Sequence, residues 1–399
     1  MTNLPPAPSA PAPLRIAVVG SGPAGLFTVD EVLRKRPGTQ VKIYERLPQP
    51  FGLVRYGVAP DHPHTRRATR MLDAILAKPG VTLHLNTQID RDLTLDALRA
   101  QHDAVLLATG APQDRALGLP GEHRPGVWPS LAFAGWVNGH PDFADRGPLP
   151  DTDTAIILGH GNVALDVARL LARSAEQLAA TDIAPAARDA LAGHTIRRIL
   201  LVGRRGPAQA AFGLAELEEV AALPDWHVSA EPAAFPLSAV DTAELAQADD
   251  RARGVCALLE TLAAAGAESP SAPRIEFLFH RAPVEVTGSD SAAGVRFERT
   301  RLEGAPGQQR AVGYGQFDAQ VAGLVVCAAG HVGQPLAGAP FDGSRGVIPN
   351  VAGRVVENGA PVRGLYVVGW IKRGARGLIG HNRRDAMETA AALLADFPA

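Results

Sequence analysis

The apolar residues of this chain follow two alternating patterns: short continuous runs, and stretches spaced three or four residues apart. Continuous runs predict buried strands, and the wider spacing predicts helices with one apolar face. In the first hundred or so residues the predicted strands are 14–19, 41–44, 81–85 and 103–109, and the predicted helices are 26–35, 65–77 and 95–101. Prolines and glycines interrupt residues 47–62, which predicts an ordered loop there. Strands that alternate with helices indicate a parallel sheet.

The same alternation begins again after residue 150. Strands are predicted at 154–158, 199–203 and 323–328, and helices at 165–173, 214–223 and 239–265, with an inserted helical segment at 174–195. Three further runs, at 275–279, 284–287 and 294–301, predict the strands of an antiparallel meander. A strand at 364–368 and a helix at 383–394 predict that the chain returns to the first sheet, which still needs a final strand.

These patterns predict an α/β protein with two Rossmann-like dinucleotide-binding domains, built from βαβ units and parallel sheets, together with an antiparallel meander. The first domain is expected to be discontinuous. The predicted boundaries are 1–13 for a disordered lead-in rich in Pro and Ala, 14–113 plus 334–399 for the first domain, and 114–333 for the second.

The first strand leads into a glycine-rich turn, GSGPAG at 20–25. Gly20 allows a sharp turn, Gly22 lets the backbone approach a pyrophosphate, and Gly25 lets the helix pack closely on the strand. The phosphates would face the positive end of that helix. Glu45 ends the next strand, twenty residues after Gly25, where a carboxylate can accept hydrogen bonds from a ribose hydroxyl. The strand, turn, helix and acid together predict dinucleotide binding.

The second turn, GHGNVA at 159–164, fits the related pattern GxGxxA. The strand that follows it ends on Arg204 and Arg205 instead of an acid. A carboxylate at this position would suit a free 2′-hydroxyl, whereas two guanidinium groups can clamp a 2′-phosphate through paired hydrogen bonds. The second turn is therefore predicted to bind NADP(H) rather than NAD(H); the alternative for the arginines is a solvated surface pair.

Composition restricts the possible functions. A formal net charge of −2 argues against a general nucleic-acid binder, which needs a basic surface. Cys256 and Cys327 form no CxxC pair or metal-ligand pattern and lie in apolar surroundings, so we expect buried thiols and no metal site. Redox chemistry would then depend on a bound organic cofactor. No apolar run is long enough to predict a transmembrane helix, and the first residues do not resemble a signal or transit peptide, which predicts a cytoplasmic protein.

Five stretches together resemble the adrenodoxin reductase family of flavin-dependent NADPH:ferredoxin reductases. They are VVGSGPAGL at 18–26, PFGLVRYGVAPDHP at 50–63, ILGHGNVALDVARLL at 157–171, VGRRGPAQAAF at 202–212 and GWIKRGARGLIG at 369–380. They span nearly the whole chain and are far more specific than a glycine motif alone.

The resemblance implies that the first domain binds FAD and the second binds NADP(H). With the glycine turn included, the FAD-binding residues would be Gly20, Gly22, Ala24, Gly25, Glu45, Leu53, Ile89, Trp370, Gly377, Leu378 and Ile379. The NADP-binding residues would be Asn162, Val163, Ala164, Leu165, Arg204, Arg205, Glu216 and again Gly377. Near the nicotinamide and the flavin, His62 and Glu219 would be the catalytic pair. His62 would donate a hydrogen bond or relay a proton, or serve only the structure of its loop. Glu216 and Glu219 would orient the carboxamide, or would only form a solvated helix face.

The implied activity is that of a ferredoxin–NADP reductase: hydride passes from NADPH to flavin N5, and single electrons then pass to a ferredoxin-type iron–sulfur protein. The chain departs from the family pattern at His160, at Ala375 and Arg376, and in the helix around 240–257. That helix carries basic partner-binding residues in mitochondrial members, but here it has Asp249 and Asp250 beside only two arginines. The alternatives are a flavin-dependent monooxygenase and a non-catalytic NADP-binding flavoprotein; a disulfide oxidoreductase would need the missing cysteine pair.

Overall fold

A computed structural model describes residues 12–266, 272–377 and 379–398. Most of the predicted lead-in, residues 1–11, lies outside the described residues, and so does Leu378.

The strands occur throughout the described chain. In chain order they are β1 (Arg15–Val19), β2 (Gln40–Tyr44), β3 (Val81–His84), β4 (Ala104–Leu107), β5 (Gln113–Asp114), β6 (Val127–Pro129), β7 (Thr154–Leu158), β8 (Arg198–Val202), β9 (His227–Ala230), β10 (Arg274–Leu278), β11 (Arg281–Thr287), β12 (Gly294–Glu303), β13 (Arg310–Val321), β14 (Leu324–Cys327), β15 (His331–Val332), β16 (Asn350–Val351), β17 (Arg354–Glu357) and β18 (Ala360–Val367).

The helices connect these strands. They are α1 (Pro23–Lys35), α2 (Leu53–Tyr56), α3 (Pro63–Arg66), α4 (Ala68–Leu76), α5 (Leu95–Gln101), α6 (Ser130–Val137), α7 (Asn162–Ala172), α8 (Ala175–Ala179), α9 (Pro185–Ala192), α10 (Leu214–Ala221), α11 (Ala239–Gln247), α12 (Asp250–Ala264), α13 (Trp370–Arg373) and α14 (Ile379–Asp396). Short 3₁₀ helices form at Pro141–Phe143, Pro207–Gln209 and Pro232–Ala234.

The chain divides into two compact units. One contains the residues up to 58, 64–113 and 331 to the end, and the other contains 59–63 and 114–330. The first unit is therefore discontinuous, as predicted. Residues 59–63, which the predicted boundaries put in the first domain, pack instead with the second unit.

The first unit is built around a sheet with the strand order β16-β17-β18-β4-β1-β2-β3. Strands β18, β4, β1, β2 and β3 are parallel, while β16 and β17 form an antiparallel extension. The predicted return of the chain is confirmed, because β18 pairs with β4 and fills the sheet. Both faces are apolar, as a sheet covered by helices requires: Leu26 and Leu393 belong to the cluster on one face, and Leu107 and Ile371 to the cluster on the other.

The second unit has a six-stranded sheet with the order β6-β14-β7-β8-β10-β9. Its strand pairs are all parallel. A separate antiparallel sheet contains β11, β12 and β13. The duplication that the sequence predicts is thus present: each unit has a central parallel strand that leads through a glycine turn into a helix.

One strand prediction is wrong. Residues 275–279 were expected to begin the meander, but β10 lies between β8 and β9 and is parallel to both. Parallel pairing requires a crossover connection, and helices α11 and α12 supply it. At His280 the backbone takes a positive φ of 54°, and the chain then enters β11, so the meander starts only there.

One loop prediction and two helix predictions need smaller corrections. Within the predicted loop at 47–62, residues 53–56 form the single-turn helix α2. The predicted helix at 65–77 is divided into α3 and α4. The predicted helix at 239–265 is also two helices, because the Asp249 side chain accepts a hydrogen bond from the backbone N–H of Ala252 and begins a new helix.

In the part of the chain that the structure describes, no helix is both long enough and apolar enough to cross a membrane.

Candidate functional site

The first glycine turn has the geometry that its sequence predicts. Gly20 has a φ of +101°, and a Cβ atom there would lie 2.5 Å from the carbonyl oxygen of Ala108. A Cβ on Gly25 would be 3.0 Å from the Ala108 side chain and 3.3 Å from that of Val18, so a larger residue would push α1 away from β1. Gly22 faces open space, because a Cβ atom at this position would have no neighbour within 4 Å among the described residues.

The N-terminus of α1 offers free hydrogen-bond donors. Pro23 occupies the first position, where a backbone N–H is not needed. Leu26 donates to the carbonyl oxygen of Gly22, whereas the N–H groups of Ala24 and Gly25 have no partner among the described residues. Unpaired N–H groups at the positive end of a helix form an anion site, and the open space at Gly22 allows a pyrophosphate to approach them.

Glu45 is buried and fixes the turn from the side. Its Oε2 accepts hydrogen bonds from the N–H of Ser21 at 3.1 Å and from Ser21 Oγ at 2.6 Å, and its Oε1 accepts one from the N–H of Leu47 at 3.0 Å. A carboxylate can accept about four hydrogen bonds, so Oε1 retains capacity for a ribose hydroxyl. The residues of this turn therefore fit an adenine dinucleotide such as FAD.

Other predicted FAD-binding segments converge on the same turn. The Gly52 position that precedes Leu53 lies beside Gly22, because a Cβ built on Gly52 would be 3.7 Å from the Gly22 Cα. A Cβ built on Gly369 would be 2.7 Å from the Ala24 side chain, which brings α13 and Trp370 to the start of α1.

The Trp370 ring stacks on His331 at 6.0 Å between ring centres, and its Nε1 donates to the carbonyl oxygen of Arg376. Ile89 is buried in the apolar cluster of the first unit that also contains Val19, Leu107 and Ile371. Gly377 is exposed with a φ of +82°, and Ile379 begins α14. The position predicted between them, Leu378, lies outside the described residues. The structure thus brings most of the predicted FAD residues together, and their individual contacts with FAD remain predictions.

A buried ion pair holds the Gly369 turn. Lys372 Nζ lies 2.7 Å from Asp385 Oδ1, with both side chains less than a tenth exposed. Asp385 Oδ2 accepts a hydrogen bond of 2.6 Å from the N–H of Gly369. Lys372 also contacts Glu388 at 2.5 Å and Thr389 at 3.1 Å. A full set of partners compensates for the cost of burying these charges, so α14 fixes the backbone that precedes Trp370.

The second glycine turn repeats the geometry of the first. Gly159 has a φ of +138°, and a Cβ there would lie 2.4 Å from the carbonyl oxygen of Ala328. Gly159 N donates to Val202 O at 2.9 Å, as Gly20 N donates to Tyr44 O at 2.8 Å. The carbonyl oxygens that would clash with a Cβ at Gly20 and at Gly159 belong to Ala108, which follows β4, and to Ala328, which follows β14. These two strands therefore have the same role in the two units.

At the start of α7, the free donors are the N–H groups of Asn162 and Val163, which have no partner among the described residues. The N–H groups of Ala164 and Leu165 donate to the carbonyl oxygen of Gly161, and both side chains are fully buried. This helix end can therefore hold a pyrophosphate through Asn162 and Val163. Direct binding through Ala164 and Leu165 stays a prediction, and their observed role is packing.

Asn162 also connects α7 to α10. Its Oδ1 accepts a hydrogen bond from the N–H of Gly213 at 2.8 Å, and its Nδ2 donates to Glu216 Oε1 at 3.1 Å. Gly213 is the N-cap residue of α10. The predicted NADP residues Asn162 and Glu216 are thus in direct contact.

Arg204 and Arg205 follow β8 and are available for an anion. Within the described residues, neither guanidinium has a hydrogen bond or an ion pair. Arg204 is exposed, whereas burial and the adjacent charge of Arg204 lower the pKa of Arg205. Two unpaired like charges repel each other, so a dianionic phosphate between them would relieve the repulsion and supply both with partners. These residues fit the 2′-phosphate of NADP(H).

His160 is part of the core. Its Nε2 lies 3.1 Å from the carbonyl oxygen of Leu201, and Phe279 packs 5.0 Å from its ring centre. Burial lowers the pKa of His160 to about 4, so the ring is neutral at pH 7 and Nε2 donates the hydrogen bond. The ring occupies the space where a side chain on Gly203 would have to be.

The predicted pair His62 and Glu219 is formed in the second unit, with His62 Nε2 3.0 Å from Glu219 Oε2. The segment that carries His62 is fixed by Asp61, whose carboxylate binds Arg169 at 2.6 Å and Arg173 at 2.8 Å. Burial opposes ionisation of Asp61, but hydrogen bonds and charge from the two arginines outweigh it and hold its pKa at about 2.

Arg169 extends this cluster. It contacts Asp166 at 2.7 Å and lies 3.6 Å from Glu219, and Asp166 in turn lies 3.9 Å from His62 Nδ1. Burial raises the pKa of Asp166.

Four residues that support the predicted sites were not identified from the sequence: Ser21, Asp61, Arg169 and Asp385. The available signals were the place of Asp61 directly before His62 and the presence of Asp166 and Arg169, three apart, in an otherwise apolar helix.

Two units that each carry a glycine turn at the carboxyl edge of a parallel sheet define an oxidoreductase that binds two dinucleotides. Residues 14–200 match the family model described as pyridine nucleotide-disulphide oxidoreductase. Cys256 and Cys327 are both free and buried, and burial raises their pKa values to about 11 and about 12, so neither forms the redox disulfide that this description implies.

The chain is 41% identical to the mitochondrial NADPH:adrenodoxin oxidoreductase of Arabidopsis thaliana, across 96% of this chain and 82% of that protein. It is 42% identical to a probable ferredoxin/ferredoxin–NADP reductase of Mycobacterium tuberculosis, across 96% of this chain and 65% of that protein. The structure of M. tuberculosis FprA in complex with NADPH superposes with a TM-score of 0.90 at 37% identity, covering 96% of this chain and 84% of FprA. The chain belongs to the adrenodoxin reductase family of ferredoxin–NADP reductases.

Proposed function

We propose that this protein is an FAD-containing NADPH:ferredoxin oxidoreductase. The observation that carries the proposal is the contrast between the two glycine turns. One is fixed by a buried acid, Glu45, that retains hydrogen-bonding capacity for a ribose, and the other is followed by the guanidinium groups of Arg204 and Arg205, which are unpaired within the described residues. The names of the relatives, which specify NADPH and ferredoxin or adrenodoxin, support the same assignment.

In this proposal, the first unit binds FAD and the second unit, which includes residues 59–63, binds NADP(H). FAD, when bound, would supply the redox chemistry that links two-electron hydride transfer from NADPH to one-electron transfer to an iron–sulfur protein. The protein positions the two nucleotides. Asn162 and Val163 would donate to the NADPH pyrophosphate, Arg204 and Arg205 would bind the 2′-phosphate, and Glu216 would keep Asn162 in place.

The His62–Glu219 pair is assigned to the nicotinamide side. Nε2 lies within hydrogen-bond distance of a carboxylate, which can only accept, so the Nε2–H group donates a hydrogen bond to Glu219. Asp61 and Arg169 would hold His62 in this position. The pair then orients polar groups near the reacting end of the nucleotide without acting as a nucleophile.

Anaerobic titration of the purified protein tests this function. NADPH should bleach a flavin absorption band with a stoichiometry near one per FAD, and a ferredoxin added afterwards should be reduced while the flavin band returns. Oxygen uptake coupled to a small substrate would indicate a monooxygenase. Bleaching without reduction of any one-electron acceptor would indicate a non-catalytic flavoprotein, and protein that cannot be reconstituted with FAD would refute the proposal.

A cytoplasmic location is also part of the proposal. It follows the sequence prediction, whereas several relatives are described as mitochondrial. Fractionation of cells that express the chain with a C-terminal tag provides the test, and recovery of the tagged protein in an organelle fraction would contradict it.

A further inference from the structure

In its described part, the first unit has four unpaired positive charges where two of its helices begin. Arg67 and Arg70 lie at the start of α4, and Arg383 and Arg384 lie in the first turns of α14; all four are exposed. Among the described residues, none of the four side chains has a hydrogen bond or an ion pair. Elsewhere in this unit, Arg15, Arg34, Arg91 and Arg354 are each paired with a carboxylate, and Arg36, Arg55 and Arg99 donate to backbone carbonyl oxygens.

Topology puts these helix ends at one edge of the unit. Helix α1 follows β1, α4 precedes β3 and α14 follows β18 by way of α13, and these strands are parallel to one another through the sheet. Helices in such connections run opposite to the strands, so all three begin at the carboxyl edge. Helix α1 packs against both α4 and α14, and the Arg383 guanidinium lies 5.8 Å from the ring centre of Phe27 in α1.

Nearby acidic groups do not neutralise this edge. On α1, Asp30 is paired with Lys78, and Glu31 with Arg34 and Lys35. On α14, Glu388 contacts the buried Lys372. Asp73 is the one other exposed acid on α4 in the described structure. Four arginines therefore outnumber the uncompensated acids at the start of these helices.

The same helices expose two methionines. Met71 is 41% exposed beside Arg70, and Met387 is 50% exposed one turn after Arg383. Apart from Met1 these are the only methionines in the sequence. Methionine is flexible and adapts to different partner surfaces, and together with arginine it is enriched in protein interfaces. Apolar contact and positive charge thus occur on the same two helices.

We propose that this edge, defined by Arg67, Arg70, Met71, Arg383, Arg384 and Met387, is the docking surface for an acidic iron–sulfur protein. The inference rests on the proposed function. The carboxyl edge is also where the Gly20–Gly25 turn lies, so an electron acceptor bound there shares an edge with the flavin site. The helix around 240–257 is a poorer candidate, because Arg251 donates to the carbonyl oxygen of Phe212 and Arg253 is paired with Asp250.

The test compares two double variants of the full-length holoenzyme, R67Q/R70Q and R383Q/R384Q, with a control of equal charge, R99Q/R363Q. Arg99 and Arg363 are exposed in the same unit, at the opposite edge of the sheet. With an acidic [2Fe–2S] ferredoxin at low ionic strength, each test variant should raise KM about fivefold or more, since steering depends on charge. The control should change KM less than about twofold. Near 1 M salt the difference should nearly vanish, because the Debye length is then about 3 Å.

Menadione, an uncharged acceptor, separates docking from cofactor binding. The test variants should keep the FAD content and the NADPH–menadione rate of the wild type. Unchanged KM for ferredoxin, or loss of FAD or of menadione activity, would overturn the proposal. If R383Q/R384Q does not fold because Arg383 contacts Phe27, R384Q alone is decisive. Wild-type protein that reduces menadione but no iron–sulfur protein would instead refute the proposed function.

The variant M71Q/M387Q tests the apolar part of the surface. It should raise the KM for ferredoxin at high as well as low salt, because apolar contacts are not screened. An unchanged KM for ferredoxin would show that Met71 and Met387 are not part of the docking surface.

Discussion

Asp61 and Arg169 form a two-point ion pair in which the side chains are only 2% and 1% exposed. Asp61 belongs to the short segment 59–63, whereas Arg169 lies on α7, far away in sequence. The pair fixes that segment, and with it the predicted catalytic residue His62, to the second unit. The position of His62 therefore depends on two residues that have no direct part in the proposed chemistry.

Replacing Asp61 with Asn should destabilise the second unit by about 3–5 kcal/mol, because Arg169 would remain buried without a charged partner. Urea unfolding followed by tryptophan fluorescence measures this, since Trp128 and Trp136 are buried in the core of that unit. The control is Asp189→Asn. Asp189 is 69% exposed and paired with its neighbour Arg188, so its removal should cost less than about 1 kcal/mol. Equal effects of the two changes would contradict the role of the buried pair.

The same pair predicts a pH dependence. The pKa of Asp61 is about 2 in the folded protein, below its value of about 3.9 in an unfolded chain. Its contribution is therefore complete above about pH 4 and is lost as the pH falls toward 2, which amounts to about 2–3 kcal/mol. Unfolding free energies of wild type and D61N should converge over this interval; parallel curves would show that Asp61 is not the responsible group.

His160 predicts a second, separate pH effect. Its folded pKa of about 4 lies below the ordinary value of about 6.5. On acidification the unfolded chain binds the proton first, so stability that is present above pH 6.5 is lost as the pH falls toward 4. Between pH 7 and pH 5 the loss should be about 2 kcal/mol.

Glutamine at position 160 can keep the hydrogen bond to the Leu201 carbonyl but does not titrate. H160Q should therefore lose about 2 kcal/mol less than wild type between pH 7 and pH 5 in urea unfolding. Exposed His123 provides the control, because H123Q should follow the wild-type curve. If H160Q and wild type show the same pH dependence, the ring is not held neutral by burial.

The sequence predicts local geometry well where it depends on neighbouring residues. Spacing alone indicated the turns at Gly20 and Gly159, the close packing at Gly25 and the position of Glu45, because each is determined within one βαβ unit. The parallel pairing of β10 was missed because pairing depends on residues far away in the chain. The spacing of apolar residues also indicates which face of a helix is buried, but it does not identify the partner of a buried charge. The roles of Arg169 and Asp385 therefore became evident only from the structure.

The pair Arg204 and Arg205 predicts nucleotide selectivity. Replacing both by Gln should raise the KM for NADPH by about a hundredfold or more, because each of the two charge-assisted contacts with phosphate contributes about 1.5–3 kcal/mol. The KM for NADH, which lacks the phosphate, should change little. R188Q serves as the control, since Arg188 is exposed and paired with Asp189. Equal losses for NADPH and NADH would exclude the 2′-phosphate site.

The contacts of Asp385 predict that α14 holds the backbone of the flavin site in place. Its carboxylate binds both Lys372 and the N–H of Gly369, and a side chain on Gly369 would collide with Ala24 at the start of α1. In D385A the Gly369 N–H loses its acceptor, so the turn that precedes Trp370 is released from α14. We expect FAD affinity to fall about tenfold or more, the equivalent of one charge-assisted hydrogen bond.

The dissociation constant of FAD, measured by recovery of flavin fluorescence, checks this expectation, and E388Q is the matched control. Glu388 contacts the same lysine but its side chain is 56% exposed, so its loss should change FAD affinity less than about threefold. A structural role alone would lower the melting temperature of D385A without altering the absorption band of the FAD that remains bound. A displaced turn at Gly369 would alter the melting temperature and also the absorption band, because it changes the surroundings of the flavin. If D385A keeps the FAD affinity and the absorption band of the wild type, α14 does not determine the structure of the flavin site.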